Sequence, residues 1–302
     1  MYRCTQCGGH GTWHPARRQV VCHSCGGVID LPPADGSPAS SLFLLPLLRD
    51  TPANVREFTR DRVEKRCPTC ASVVVFAAGI EGAQCDACQT PLLRPPESSE
   101  APIRPTGVVP FRITADQARD NIGAWWRKMQ RRRRLELAEL QGRYVPVWQF
   151  SVHVHCPWRA TTTSTDSQGT QRTEVRSGDV RGDYGEREPA TRHLPVSLMP
   201  PLPFPFDAAV AFDPRYLAGA VVEQYELGLW SAWDAAQERL TALVQWLVRK
   251  DAGLMTLPDE LWPQWSNEKV WLILVPYYRA TVSTSGRTYE VFVDGSRGPL
   301  CQ

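Results

Sequence analysis

The sequence predicts an α+β protein: two N-terminal Cys4 zinc ribbons followed by a mainly antiparallel sheet domain with two amphipathic helices. Three observations carry this reading. A cysteine quartet occurs twice at one spacing, extended apolar segments arrive as hairpins, and two stretches repeat apolar residues at helical period.

The first quartet is Cys4, Cys7, Cys22 and Cys25, and the second is Cys67, Cys70, Cys85 and Cys88, every position displaced by 63 residues. Both read C-x2-C-x14-C-x2-C, one residue short of the roughly 15–20 usual between the pairs of Cys4 zinc sites, a difference a tighter hairpin absorbs. Each C-x2-C turn aims two sulfurs at one point, and the intervening hairpin brings the second pair opposite. Zinc suits such a site because it is tetrahedral and favours thiolate. Eight structural cysteines would have to fall into two identical spacings by accident. Gly8, Gly9, Gly26 and Gly27 follow the turns, where backbone geometry often needs positive φ. The cofactor expected is therefore two Zn2+ ions. Four thiolates leave no open coordination position, so the ions are expected to be structural, contributing on the order of 10–16 kcal/mol each to folding. His10, His14 and His23 read as surface residues beside complete ligand sets.

Residues 1–31 form ribbon 1, 32–66 a linker with a short helix, and 67–94 ribbon 2. Within the linker, 31–41 reads as loop, and Thr51-Pro52 starts a helix to about Lys65. A Pro-rich linker over 95–107 precedes the α+β domain, 108–302. There, 108–113 reads as a strand and Thr114 caps a helix bearing Ala118, Ile122, Trp125 and Met129. Strands are expected over 144–156 and 160–165, a turn near Ser167-Gln168-Gly169, a return strand over 172–176, and another strand over 221–227. A helix over 231–250 puts Ala236, Leu240, Leu243 and Leu247 on one face. A hairpin over 270–283 and 288–294 closes the chain.

Among 302 residues, 34 basic and 32 acidic side chains give a net charge of +2. Two Zn(Cys)4 units would each add −2, so no broad basic field is expected. Arg127, Lys128, Arg131, Arg132, Arg133 and Arg134 are the one concentrated run, a candidate contact for nucleic acid or anionic lipid. Glu136 and Glu139 follow directly, and cations also suit a helix C-terminus. His153 and His155 project from one strand face and Cys156 from the other, so the three cannot share a metal. Trp262 and Trp265, and the proline-rich stretch 194–206, read as packing rather than recognition elements.

No signal peptide or membrane-spanning run is visible, so a cytoplasmic chain is expected, and ten cysteines there favour metal thiolates over disulfides. The four lysines (Lys65, Lys128, Lys250 and Lys269) never follow glycine, which excludes a Walker A loop. H-E-x-x-H, G-x-S-x-G and G-x-G-x-x-G do not occur. No small-molecule substrate is expected.

The chain resembles a family of uncharacterised prokaryotic zinc-ribbon proteins, often labelled transcription factor IIB-type zinc ribbon or primosomal protein N-prime (replication factor Y). The matching features are Cys4-Thr5-Gln6-Cys7-Gly8, Cys22-His23-Ser24-Cys25-Gly26 and Val109-Pro110-Phe111 before Trp125-Trp126. Further on they are Tyr144-Val145-Pro146-Val147-Trp148-Gln149-Phe150, Tyr216-Leu217-Ala218-Gly219 with Glu223 and Tyr225, Leu274-Val275-Pro276-Tyr277-Tyr278, and Asp294-Gly295 with Gly298. The helicase label does not suit a chain without a Walker A loop. The resemblance implies an adaptor in a membrane-stress or related multi-protein system, because relatives often continue into membrane helices and are encoded near membrane-stress proteins. This chain departs by duplicating the ribbon and by ending at Gln302 with no membrane segment. The expectation is a non-enzymatic zinc adaptor binding protein partners; the alternative is a nucleic-acid-binding accessory protein using the ribbons and the basic cluster.

Overall fold

A computed structural model describes residues 2–32, 36–50, 63–69, 73–76, 80–85, 88, 90–93, 104–129, 135–165, 167–191, 206–223, 227–284, 287–298 and 300–301. Of the expected helix over 51–65 the described part, 63–65, lies in a strand instead; most of 95–107 and all of 194–206 but Phe206 lie outside these residues, as do Tyr225 and Ser285-Gly286.

In chain order the elements are β1 (Gly11–His14), β2 (Gln19–Cys22), β3 (Leu42–Phe43), α1 (Leu44–Asp50), β4 (Val63–Arg66), β5 (Val73–Phe76), β6 (Ile80–Gln84), β7 (Pro91–Leu93) and β8 (Gly107–Val108). There follow α2 (Ala115–Met129), β9 (Glu136–Thr165), β10 (Gln171–Pro189), β11 (Val210–Ala211), β12 (Val221–Glu223), α3 (Leu229–Ala252), β13 (Glu260–Leu261), β14 (Gln264–Thr284), β15 (Arg287–Asp294) and β16 (Leu300–Cys301).

Three long strands set the frame. β9 pairs antiparallel with β10 on one side and with β14 on the other, and the short strands line up along their remaining edges in a mixed sheet of twelve strands. Among the described residues, β12 with β9 and β14 with β8 are the parallel pairs. The two strands expected over 144–156 and 160–165 are one, β9. Pro157 does not break it because it falls where the neighbour of β9 changes, after His155 pairs Gln264 of β14 and before Trp158 pairs Leu261 of β13. The missing N–H interrupts no pair on that side, and the Pro157 carbonyl accepts from the Trp262 backbone N–H at 3.0 Å.

Alternation along β9 divides the core. Tyr144, Trp148, Phe150, Val152, Val154, Cys156 and Trp158 are buried under the three helices in one continuous cluster. The opposite face carries a smaller cluster, in which Val145, Val147, Ile273, Val275 and Tyr277 meet Val109, Phe206 and Ala209. In α2 the buried stripe is Ala118, Ile122 and Trp126. Trp125 flanks it and the expected core residue Met129 is exposed, since steps of four residues hold the face toward the sheet. Thr114 does cap this helix: its hydroxyl accepts from the Gln117 N–H at 3.2 Å, and Gln117 Oε1 accepts from the Thr114 N–H at 2.8 Å. In α3 the buried face is Ala236, Leu240, Val244 and Val248, one residue round from the expected Leu243 and Leu247, which are half-buried.

Within the expected linker, residues 38–48 are woven into the sheet. Pro38 bridges to Val210, Leu42 and Phe43 pair with Val270 and Lys269, and Leu44 and Leu48 enter the main core. Pro46 is tolerated in the first turn of α1, where its N–H would have no helical partner. Ribbon 2 is likewise continuous with the sheet, because β6 pairs with β12. Among the described residues no helix is long and apolar enough to cross a membrane.

Candidate metal centres

The segment expected as ribbon 1 holds a hairpin of two four-residue strands, β1 against β2, with Gly11 opposite Cys22 and His14 opposite Gln19. Its cysteine turns are built alike. The Cys4 N–H donates to the Gly9 carbonyl at 2.8 Å and the Gly8 N–H to the Cys4 carbonyl at 2.9 Å; Cys22 with Gly27, and Gly26 with Cys22, repeat both bonds at 2.8 and 2.9 Å. Gly8 and Gly26 close these turns at φ of 73° and 71°, a region that favours glycine. At Gly9 the requirement is space: an added Cβ would lie 2.8 Å from Cys22 Sγ and 2.6 Å from Ser24 Oγ.

The turns bring four sulfurs together. The Cys7 and Cys22 sulfurs are 3.4 Å apart, those of Cys4 and Cys25 are 3.6 Å apart, and all four lie within 4.8 Å of one another. The second site repeats the design, with Cys67, Cys85 and Cys88 within the same limit and Cys67 Sγ 3.5 Å from Cys88 Sγ. The Cys85 N–H donates to the Thr90 carbonyl at 3.0 Å, the counterpart of the Cys4–Gly9 bond. Cys70, the expected fourth ligand, lies outside the described residues.

Electrostatics in the first site favour a cation. Backbone N–H groups of Cys25 and Ser24 pull the Cys22 thiol down to about 6 against the effect of burial, and those of Cys7 and Gln6 hold Cys4 below its ordinary value. Cys7 is different. The Gly9 N–H favours its thiolate, but the Cys22 and Cys25 sulfurs beside it, together with burial, push it up to about 12. Sulfurs this close cannot all ionise unaided, and a dication at their centre removes the conflict.

None of the neighbouring histidines joins the sulfurs. His10 and His23 are exposed, and His14 Nδ1 accepts from the Arg17 N–H at 3.3 Å. On β9, His153 Nδ1 lies 2.9 Å from Asp183 Oδ1 and His155 Nε2 lies 3.3 Å from Asp179 Oδ2, while Cys156 is buried on the other face and burial pushes its thiol up. Among the described residues, the two sulfur clusters are where three or more candidate ligands converge. Of the basic run, Arg127 and Lys128 are exposed in the last turn of α2; Arg131 to Arg134 lie outside the described residues.

Two arrangements were not legible from periodicity. Trp13 on β1 attaches ribbon 1 to the sheet domain: its indole N–H donates to the Phe111 carbonyl at 3.3 Å and its backbone N–H to the Ala218 carbonyl at 3.0 Å. Glu223 of β12 accepts from Arg143 Nη1 of β9 at 2.7 Å and from the Tyr277 hydroxyl of β14 at 2.5 Å, joining three strands beside ribbon 2. Both Glu223 and Tyr277 stand among the residues that carry the family resemblance, the one signal that singled them out. No family model, curated protein or solved structure matches this chain.

Proposed function

We propose that the protein is a non-enzymatic adaptor of the zinc-ribbon family it resembles, in which two structural Zn2+ ions hold ribbons that present surfaces to protein partners. The observation that carries the reading is the four-sulfur cluster of ribbon 1. A tetrahedral ion would use all four sulfurs, leaving no position for water or substrate. The ribbon is fixed to the sheet domain through Thr12 and Trp13, while Thr5, Gln6, His23 and Ser24 on its knuckles are exposed. Exposed side chains on a fixed mount are what partner recognition needs, and they support this reading.

The test is affinity capture of the tagged chain from its own host without detergent, reading protein and nucleic acid before and after nuclease. A stoichiometric protein that survives nuclease, and is lost when Thr5→Asp and His23→Asp are combined, supports the adaptor. Capture that depends on nucleic acid replaces it with the accessory-protein reading, in which the ribbons and the run beginning at Arg127 and Lys128 make the contact.

A further inference from the structure

Among the described residues the two sulfur sites differ in what can reach their cysteines. Cys25 and Cys88 hold the same position of the repeat, yet Cys25 is exposed and Cys88 is only 1% exposed. Cys88 lies with Cys67 and Cys85 under Val74, Ala83 and Leu92. Ribbon 1 turns Thr12 and Trp13 toward the sheet domain and leaves Cys7 and Cys25, the second cysteine of each knuckle, open to solvent. Its short sulfur pairs, Cys7 with Cys22 and Cys4 with Cys25, each join an exposed cysteine to a buried one across the two knuckles.

We propose that ribbon 1 is a peroxide-sensitive zinc site whose oxidation expels the ion and undocks Trp13, while the second site keeps its metal. This rests on the reading that both quartets hold zinc. The exposed thiolate of Cys7 or Cys25 attacks one peroxide oxygen; an S–O bond forms, the O–O bond breaks, and the departing hydroxide takes a proton to become water. The buried partner, Cys22 or Cys4, then attacks the sulfenic sulfur. The S–S bond forms, the S–O bond breaks, and hydroxide again leaves as water after taking a proton. Each disulfide consumes one peroxide and two protons, oxidises two thiolates and yields two waters. When both pairs have reacted, Zn2+ has no protein sulfur left and is released.

The consequence reaches the sheet because the ribbon has almost no core of its own. Val20, Val21 and Ile29 are its buried aliphatic residues, and so small a unit depends on its metal to stay folded. Trp13 is held against Phe111, Tyr216 and Ala218 only while β1 keeps its shape.

The zinc-loaded full chain would be titrated with hydrogen peroxide. A chromogenic chelator reads released zinc, alkylation with peptide mass mapping locates disulfides, and tryptophan emission is compared with that of Trp13→Phe. One ion should leave well before the other, with Cys7–Cys22 and Cys4–Cys25 bridges and an emission change missing in Trp13→Phe. Loss of both ions together, retention of both, earlier modification of Cys85 and Cys88, or release without a Trp13 signal would each overturn the inference. A chain purified without zinc would instead remove the metal reading beneath it.

Discussion

The indole of Trp13 stands edge-on to the ring of Tyr216, with ring centroids 4.6 Å apart and planes at 67°. The two residues lie far apart in the chain, one in the hairpin of ribbon 1 and the other in the turn Pro214–Leu217 that precedes β12. Tyr216 is buried in the main core, and the same core takes Trp13 as a partly buried neighbour. Ribbon 1 is therefore seated on the sheet domain by an aromatic contact and two hydrogen bonds.

Trp13→Ala should loosen that seat. Complete truncation of a buried tryptophan costs about 3–5 kcal/mol, and Trp13 is half-buried, so a loss of about 2–3 kcal/mol is expected. Denaturant unfolding measures it, and limited proteolysis should cut first within residues 2–30.

Metal removal should unfold the ribbons unequally. Ribbon 1 touches the sheet domain at one end, whereas β6 of ribbon 2 is hydrogen-bonded into the sheet through β12. Hydrogen exchange after chelation should show early loss of protection at β1 and β2, then fraying of β6, β7 and β12, with β9, β10 and β14 retained. Simultaneous collapse of every strand would show one cooperative unit.

Alkaline pH should destabilise the fold. Burial pushes the Tyr144, Tyr277 and Tyr278 phenols above their ordinary 10.0, with the Glu223 carboxylate adding to the effect at Tyr277, and Tyr2 is pushed up to about 12 by burial and then Asp213. Above pH 10 the unfolded chain releases these protons and the folded chain keeps them, so stability falls as pH rises through that range. Absorbance at 295 nm should show the Tyr144, Tyr277 and Tyr278 phenols ionising only as the fold is lost.

Glu223→Leu should strand two donors. Arg143 and the Tyr277 hydroxyl both donate to its carboxylate, and leaving a partly buried donor without an acceptor costs about 1–3 kcal/mol. Thermal unfolding of the single variant and of Glu223→Leu with Tyr277→Phe measures the coupling; the double variant should recover part of the loss.

Weak, non-specific attraction is the expected limit of nucleic-acid binding, given a net charge of +2 before any zinc is added. Anisotropy of labelled duplex DNA at low salt checks it. A steep salt dependence abolished by neutralising Arg131 to Arg134 would move the working site to that run.

The cysteine spacing by itself determined that Cys4, Cys7, Cys22 and Cys25 converge, and Cys67 with Cys85 and Cys88, because a C-x2-C turn is local, as the matching Cys4, Cys22 and Cys85 hydrogen bonds show. The same local logic determined the Thr114–Gln117 cap and the final hairpin. Tertiary structure decided the rest. Whether Leu243 or Val244 faces the core depends on which strands lie beneath α3, and Pro157 stays within β9 only because its neighbours change there. That ribbon 1 rests on Tyr216 through Trp13, and that ribbon 2 joins the sheet through β12, are contacts between residues far apart in the chain. Local geometry is set by each residue and its near neighbours and so can be read from sequence. Docking is set by the complementarity of two distant surfaces, and only the folded chain brings them together.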